Sequence, residues 1–294
     1  MNKALTALKA LTPEQKSILK EKRIEGSYTP QDAIALLKPV GEFDRLNDKA
    51  RTGIGCWSAA FFVFAVVALI VTANGILPWF LGIPIAIGLF GMFVYFLVTV
   101  IRLSKSDLSN NFRQIALPFL AILKEDMDKG EAMQLKLDLS SATLASKKTG
   151  QSDTYALGAY HKVVDHYYRD SWFEGSAWLA DGSSVSWSIV EDVVESKRTK
   201  RNARGKYKTK TKYRKVCHLA VDVTLPHKEY SVAGGQAAID AKVKIKDGDK
   251  RTTLRLSRKV KIKANEPWDV RALVELVAEA FRRARPAVAA GGAA

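Results

Sequence analysis

The chain has 294 residues, with 46 Lys and Arg against 30 Asp and Glu, for a formal net charge of +16. Its two cysteines, Cys56 and Cys217, supply neither a disulfide framework nor a zinc-ligand spacing, so disulfide-stapled and Cys-ligated zinc modules are set aside. The charge is also unevenly spread: residues 52–101 hold no Asp, Glu, Lys, Arg or His, which an ordinary soluble domain does not tolerate.

Residues 1–50 predict an N-terminal cytoplasmic helical segment. Thr12-Pro13-Glu14-Gln15 gives a helix N-cap, a proline just inside, and Gln at the third helical position. Thr29-Pro30-Gln31-Asp32 is a looser copy. Leu5, Leu8 and Leu11 mark one apolar stripe and Ala33, Ile34 and Leu37 another, with Lys38-Pro39 expected to end the second helix. The segment reads either as a collar packed on the rest of the cytoplasmic part or as a docking site for a partner.

Residues 51–104 predict a transmembrane helical hairpin. About 20 apolar residues cross a bilayer, and the uncharged run is long enough for two such spans, roughly Ile54–Val71 and Leu77–Leu103, turning at Thr72-Ala73-Asn74-Gly75. A buried hairpin in a soluble core would keep a polar stripe, and none is visible. Lys49, Arg51, Arg102 and Lys105 flank the spans while the turn is uncharged. The positive-inside rule therefore predicts two cytoplasmic termini in an integral, bacterial-inner-membrane type of protein. No cleavable signal is expected, because the first 50 residues lack an apolar core.

Residues 105–130 predict a connecting helix over Asp107–Lys129, kinked at Pro118. Residues 131–265 predict an antiparallel β domain of six to eight strands. Met133, Leu135, Leu137 and Leu139 alternate with polar residues; a loop is expected over Ser140–Asp153. Strands are expected over Tyr160–Asp170, Trp172–Leu179, Val185–Val194, Val216–Leu225, Ile239–Lys246 and Thr252–Ile262, with Trp172, Trp178 and Trp187 filling the core. Asn265-Glu266-Pro267 caps a C-terminal helix over 266–285, and 286–294 is expected to be a flexible tail. The fold class expected is thus an α+β membrane protein: a two-helix transmembrane hairpin plus a cytoplasmic antiparallel β domain with a C-terminal helix.

One segment stands out in the β domain. Residues 197–215 hold eleven basic residues and no acid: Lys197, Arg198, Lys200, Arg201, Arg204, Lys206, Lys208, Lys210, Lys212, Arg214 and Lys215. They supply +11 of the chain's +16, whereas residues 151–196 carry two basic residues against eight acidic ones, a net −6. From Lys206 to Arg214 the cations fall on alternate positions, with Tyr207, Thr209, Thr211 and Tyr213 between them. Since a strand points successive side chains to opposite faces, this predicts a long β-hairpin, turning near Asn202–Gly205, with one cationic face. A solvated edge guarded by lysines is the plainer reading. The functional readings are contact with anionic lipid, or with nucleic acid or an acidic protein, Tyr207 and Tyr213 being able to stack on bases.

No catalytic, metal or cofactor site is expected. His161 and His166 fall on opposite faces of a strand, Gly234-Gly235 lacks the lysine of a phosphate loop, and Asp165, Asp170 and Glu174 lie near turns where carboxylates are common. The expectation is a non-enzymatic, membrane-anchored binding or scaffold protein, either a homo-oligomer or part of a membrane complex. A membrane hairpin followed by a β domain also resembles the layout of small mechanosensitive channels, which implies the alternative of an oligomeric pore subunit. The spans depart from those pores in lacking a continuous Gly/Ala seam and any charge, although Gly82, Ala86, Gly88 and Gly91 could let helices approach.

Overall fold

A computed structural model of the chain describes residues 3–202, 204–233, 238–262 and 270–287. They form two compact units, Met1–Glu21 with Leu36–Leu108, and Lys22–Ala35 with Ser109–Ala294.

The first unit is helical. It holds α1 (Lys3–Ala10), α2 (Pro13–Glu21), most of α3 (Pro30–Ala73) and α4 (Trp79–Lys105). The cap at Thr12 is reciprocal: Gln15 N donates to Thr12 Oγ1 at 3.3 Å and Thr12 N to Gln15 Oε1 at 3.0 Å. The helix expected to stop at Lys38-Pro39 instead runs through Pro39 for 44 residues. Proline removes one N–H from the ladder, but Leu37, Val40 and Phe43 are fully buried around it, and packing outweighs one lost bond.

The turn ends α3 as expected. Gly75 takes φ +73° while Ile76 N donates to Val71 O, the arrangement a left-handed glycine permits at a helix C-terminus. Gly82 meets Thr72 so closely that a Cβ on it would lie 1.8 Å from Thr72 Oγ1. Phe61 stacks on Phe96 at 5.5 Å. Asn47 Nδ2 donates to Leu103 O, and Leu108 N to Asp44 Oδ1, both at 3.1 Å. Both α3 and α4 are long and apolar enough to cross a membrane, and their apolar side chains, among them Trp57, Phe64, Ile70, Ile83, Ile87 and Phe90, are exposed.

The second unit is built on an antiparallel sheet. Its strands are β1 (Arg23–Tyr28), β2 (Met133–Asp138), β3 (Lys148–Gln151), β4 (Tyr155–Leu157), β5 (Tyr160–Trp178), β6 (Ser184–Arg201), β7 (Tyr207–Pro226), β9 (Lys242–Asp247) and β10 (Arg251–Ile262). The order is β1-β2-β5-β6-β7-β10-β9, with β3 and β4 also pairing β5; a separate ribbon pairs β8 (Tyr230–Val232) with β11 (Ala284–Pro286). Two helices, α5 (Leu117–Asp126) and α6 (Arg271–Arg283), complete the unit. The chain is therefore α+β: two long apolar helices that could span a membrane, and an antiparallel sheet.

Several expectations need correction. The helix expected over Asp107–Lys129 is shorter: a π turn at Phe112–Ala116 runs with helical backbone at Ala116 and Leu117 directly into the ten residues of α5, and this widened turn immediately precedes Pro118. The loop expected over Ser140–Asp153 contains β3. The strands expected to break between Asp170 and Trp172 are one strand, β5, in which Trp172 is an inserted residue between the pairs Ser171–Val190 and Phe173–Ile189. This bulge lets Trp172 and Phe173 both be buried although adjacent in sequence. Trp187 packs with them in the core, on Phe119 and Phe173, whereas Trp178 is 49% exposed, under Arg251. The C-terminal helix expected over 266–285 is described over Arg271–Arg283, after which Ala284–Pro286 is a strand. The cap at Asn265-Glu266-Pro267, the pair Gly234-Gly235 and the tail beyond residue 287 lie outside the described residues.

The sheet has one covered face. Val185, Trp187, Ile189 and Val193 of β6 and Cys217, Leu219, Val221 and Val223 of β7 point to it and are buried; Phe119 of α5 and the apolar side of α6, including Leu273, Leu276 and Ala280, are buried with them. The intervening residues of β6 and β7, such as Ser186, Ser188, Ala220 and Asp222, form the open face and are partly exposed.

Candidate polyanion interface on the β-hairpin

β6 and β7 pair over their full length, from Ser184 opposite Thr224 to Arg201 opposite Tyr207, so residues 197–215 are an ordered hairpin. Its turn is closed by Asn202 N donating to Lys206 O at 2.9 Å and Lys206 N to Asn202 Oδ1 at 2.8 Å. Gly205 adopts φ +77°, and Arg201 Nε donates to Gly205 O at 3.1 Å.

The register sorts the eleven cations. Arg198 lies opposite Lys210 and Lys200 opposite Lys208; Lys212 lies opposite Ser196 and Arg214 opposite Val194. These six share the open face. Lys197, Arg201 and Lys215 belong to the other face, while Arg204 and Lys206 sit in the turn. Lys206 thus continues the alternation in sequence without belonging to the strand.

Acids compensate the two faces differently. On the covered side Lys197 pairs with Glu195 at 3.6 Å and Lys215 with Glu191 at 3.7 Å. On the open side the carboxylate that pairs with a hairpin cation is Asp165, 5% exposed. It accepts from the Ser196 hydroxyl, from Tyr155 OH at 3.1 Å and from Arg214 Nη2 at 3.4 Å. Arg198 Nε in turn donates to Ser196 Oγ at 3.3 Å. Asp165 therefore anchors the base of the cationic face, whereas among the described residues Lys200, Lys208, Lys210 and Lys212 have no ion-pair partner.

The tyrosines of β7 do not interleave with these cations. Tyr213 and Tyr168 each donate a hydroxyl hydrogen bond to Glu195 at 3.1 Å. Burial, and then that carboxylate, push both phenols above the ordinary range and keep them protonated. Tyr207 lies under Arg201, 6.0 Å from its guanidinium, and beside His161. Tyr207 and Tyr213 thus point to the face opposite the six cations, whose own exposed rings are Tyr155, in one row with Val163 and Arg198, and Tyr167, in one row with Val194 and Arg214.

At the foot of the hairpin a groove of about 860 Å³ is lined by Asp192, Arg214, His218, Lys259 and Lys261 of the open face together with Tyr213 and Lys215 of the other. His218 Nε2 and Asp192 Oδ2 are 2.7 Å apart. Lys259 and Lys261 lie opposite His218 and Val216, a neighbourhood that depends on strand register and that reasoning from sequence missed. It also missed a cluster in the helical unit, where Asp44, Asp48 and Asp107 bring carboxylate oxygens within 4.8 Å of one another. The four-residue spacing of Asp44 and Asp48 is its only local signal. Arg51 pairs with Asp107 at 2.6 Å, so that cluster carries its own counter-charge.

Compared with known protein families, curated proteins and solved structures, the chain matches none.

Proposed function

We propose that this is a membrane-anchored, non-enzymatic binding or scaffold protein whose cationic β-hairpin holds an anionic partner. The observation that carries this reading is the pairing of Arg198 with Lys210 and of Lys200 with Lys208, directly across two strands and without an acid between them. Like charges directly opposite each other destabilise a sheet, and an edge guarded against aggregation needs only scattered lysines. A surface that gathers cations at a cost to its own stability is suited to a partner that neutralises them.

Membrane anchoring is supported by the exposed Phe, Ile and Trp side chains of α3 and α4, since water-exposed apolar patches of that extent mark an interaction surface. The four flanking cations and the uncharged turn support a cytoplasmic location for both termini. The pore alternative loses two of its four small residues to packing within the hairpin, where Gly82 and Ala86 are buried.

The test uses the full chain in nanodiscs of phosphatidylcholine and a variant with Lys206, Lys208, Lys210, Lys212 and Arg214 changed to Ser. Binding of phosphatidylglycerol vesicles, duplex DNA and single-stranded RNA is followed over a salt series. The wild type should bind at least one of these in a salt-dependent way, and the variant should bind it at least about tenfold more weakly, with a flatter slope. Equal binding by both proteins, or by neither, would reduce the hairpin to a guarded edge and shift attention to α1 and α2 as a docking segment.

A further inference from the structure

The open face carries more cations than the hairpin. Lys242, Lys244 and Lys246 of β9 lie opposite Ser257, Arg255 and Thr253 of β10. Those residues lie opposite Ala220, Asp222 and Thr224 of β7, which belong to the open face. Lys259 and Lys261 reach the same face beside Arg214. All five of these lysines are exposed. The acids there are already engaged: Asp222 with Arg255, Asp192 with His218 and Arg169, and Glu174 with Lys136.

We propose that this face, from the hairpin across β7 and β10 to β9, is one continuous docking surface for acidic phospholipid headgroups of the membrane in which the apolar helices are anchored. The proposal rests on the membrane-anchored reading above. Two features favour a lipid leaflet over nucleic acid. The cations extend in two dimensions. Four neighbouring strands at ~4.8 Å spacing give a width of about 14 Å, and the run of β7 from Lys208 to Thr224 gives a length of about 50 Å. A linear polyanion needs one row, whereas a charged plane uses the whole array. Secondly, a domain tethered to a bilayer meets that surface at high effective concentration, so individually weak contacts suffice.

Lysine acetylation footprinting of the full chain tests this. Nanodiscs of phosphatidylcholine alone are compared with nanodiscs that also contain phosphatidylglycerol. The acidic lipid should slow acetylation of Lys208, Lys210, Lys244, Lys259 and Lys261 by about fivefold or more. Protection should vanish near 1 M salt, where screening falls to ~3 Å. A variant with Lys244, Lys259 and Lys261 changed to Ser leaves the hairpin intact and should weaken protection of Lys208 and Lys210, with an unchanged near-ultraviolet circular dichroism spectrum as the control for folding. Undiminished protection in that variant would overturn the continuous surface. If acidic lipid protects nothing but added duplex DNA does, the anionic-partner reading stands and the lipid assignment falls. If neither protects, both fall.

Discussion

Arg198 and Lys210 face each other directly across β6 and β7, and Lys200 and Lys208 form the next such pair toward the turn. The hairpin holds despite this because its other face is bonded. Thr199 and Thr209 share a hydroxyl hydrogen bond at 2.9 Å, Arg201 lies over Tyr207, and Lys197 pairs with Glu195. Opposite charges at such positions contribute roughly 0.2–1 kcal/mol, and like charges work against the pair. Lys210→Glu should therefore slow amide exchange along the outer half of β6 and β7 while weakening binding to anionic vesicles. Faster exchange in the variant would show that the cation pair is not the strained element we take it to be.

What could be read from the residues alone was whatever repeats at short range. The alternation from Lys206 to Arg214 specifies a strand with one cationic side, and β7 has it. The uncharged run and Asn74-Gly75 specify two helices and a turn. What stayed hidden depends on partners distant in sequence. β1 is six residues between two capped helices, and becomes a strand by pairing Ile24 with Leu137. Trp172 looks like a strand break until β6 runs past it on both sides. The alternating lysines 242, 244 and 246 are visible as a strand, but only the pairings through β10 to β7 put them on the hairpin's cationic side. The charge pattern was therefore legible and its continuity was not, because register is a property of the assembled sheet.

The crossing of β2, β5 and β6 depends on Gly175. A Cβ there would lie 2.3 Å from Trp187 Cζ2 and 2.6 Å from the backbone oxygen of Gln134. The indole has little room to retreat, since it packs against Phe119 and Phe173, and Gln134 is held by its pairing with Ser176. Gly175→Ala should therefore lower stability by about 1–3 kcal/mol, read as a shift of the denaturation midpoint. A change within ~0.5 kcal/mol would mean that the sheet yields there as a surface position does.

Asp170 gives the fold a pH dependence of unusual sign for a carboxylate. It is 4% exposed and lies opposite Glu191 on β6. Burial pushes its pKa from 3.8 up to about 6, against the help of Lys147 and with Asp138 and Glu191 adding to the rise. Lys147 Nζ is 2.7 Å from Asp170 and 2.9 Å from Asp138. Between pH 3.8 and about 6 the folded chain keeps a proton that the unfolded chain has released. Stability from this residue is thus fully present below the lower value and lost as pH rises through the upper one, by up to about 3 kcal/mol. Asp170→Asn should gain stability relative to wild type as pH rises from about 4 to 7, seen in denaturation midpoints at a series of pH values. A difference independent of pH would mean that Lys147 fully offsets the burial.

Membrane topology can be tested with single cysteines, because the native thiols are easily controlled. Cys217 is fully buried, and burial pushes its thiol well above the ordinary range, so it should not react. Cys56 is exposed and is replaced by Ser. In that background Gly75→Cys places a thiol at the uncharged turn between α3 and α4, and Ser104→Cys places one beside Arg102 and Lys105 at the end of α4. Retention of the flanking cations on the cytoplasmic side requires that a membrane-impermeant maleimide label the first in intact cells and the second only after the membrane is opened. The reverse order would put both termini, and with them the cationic sheet, on the outer side. The proposed contact with the cytoplasmic leaflet would then be impossible. Labelling of both in intact cells would mean that α3 and α4 do not cross the bilayer together, and the exposed apolar surface would need a protein partner instead.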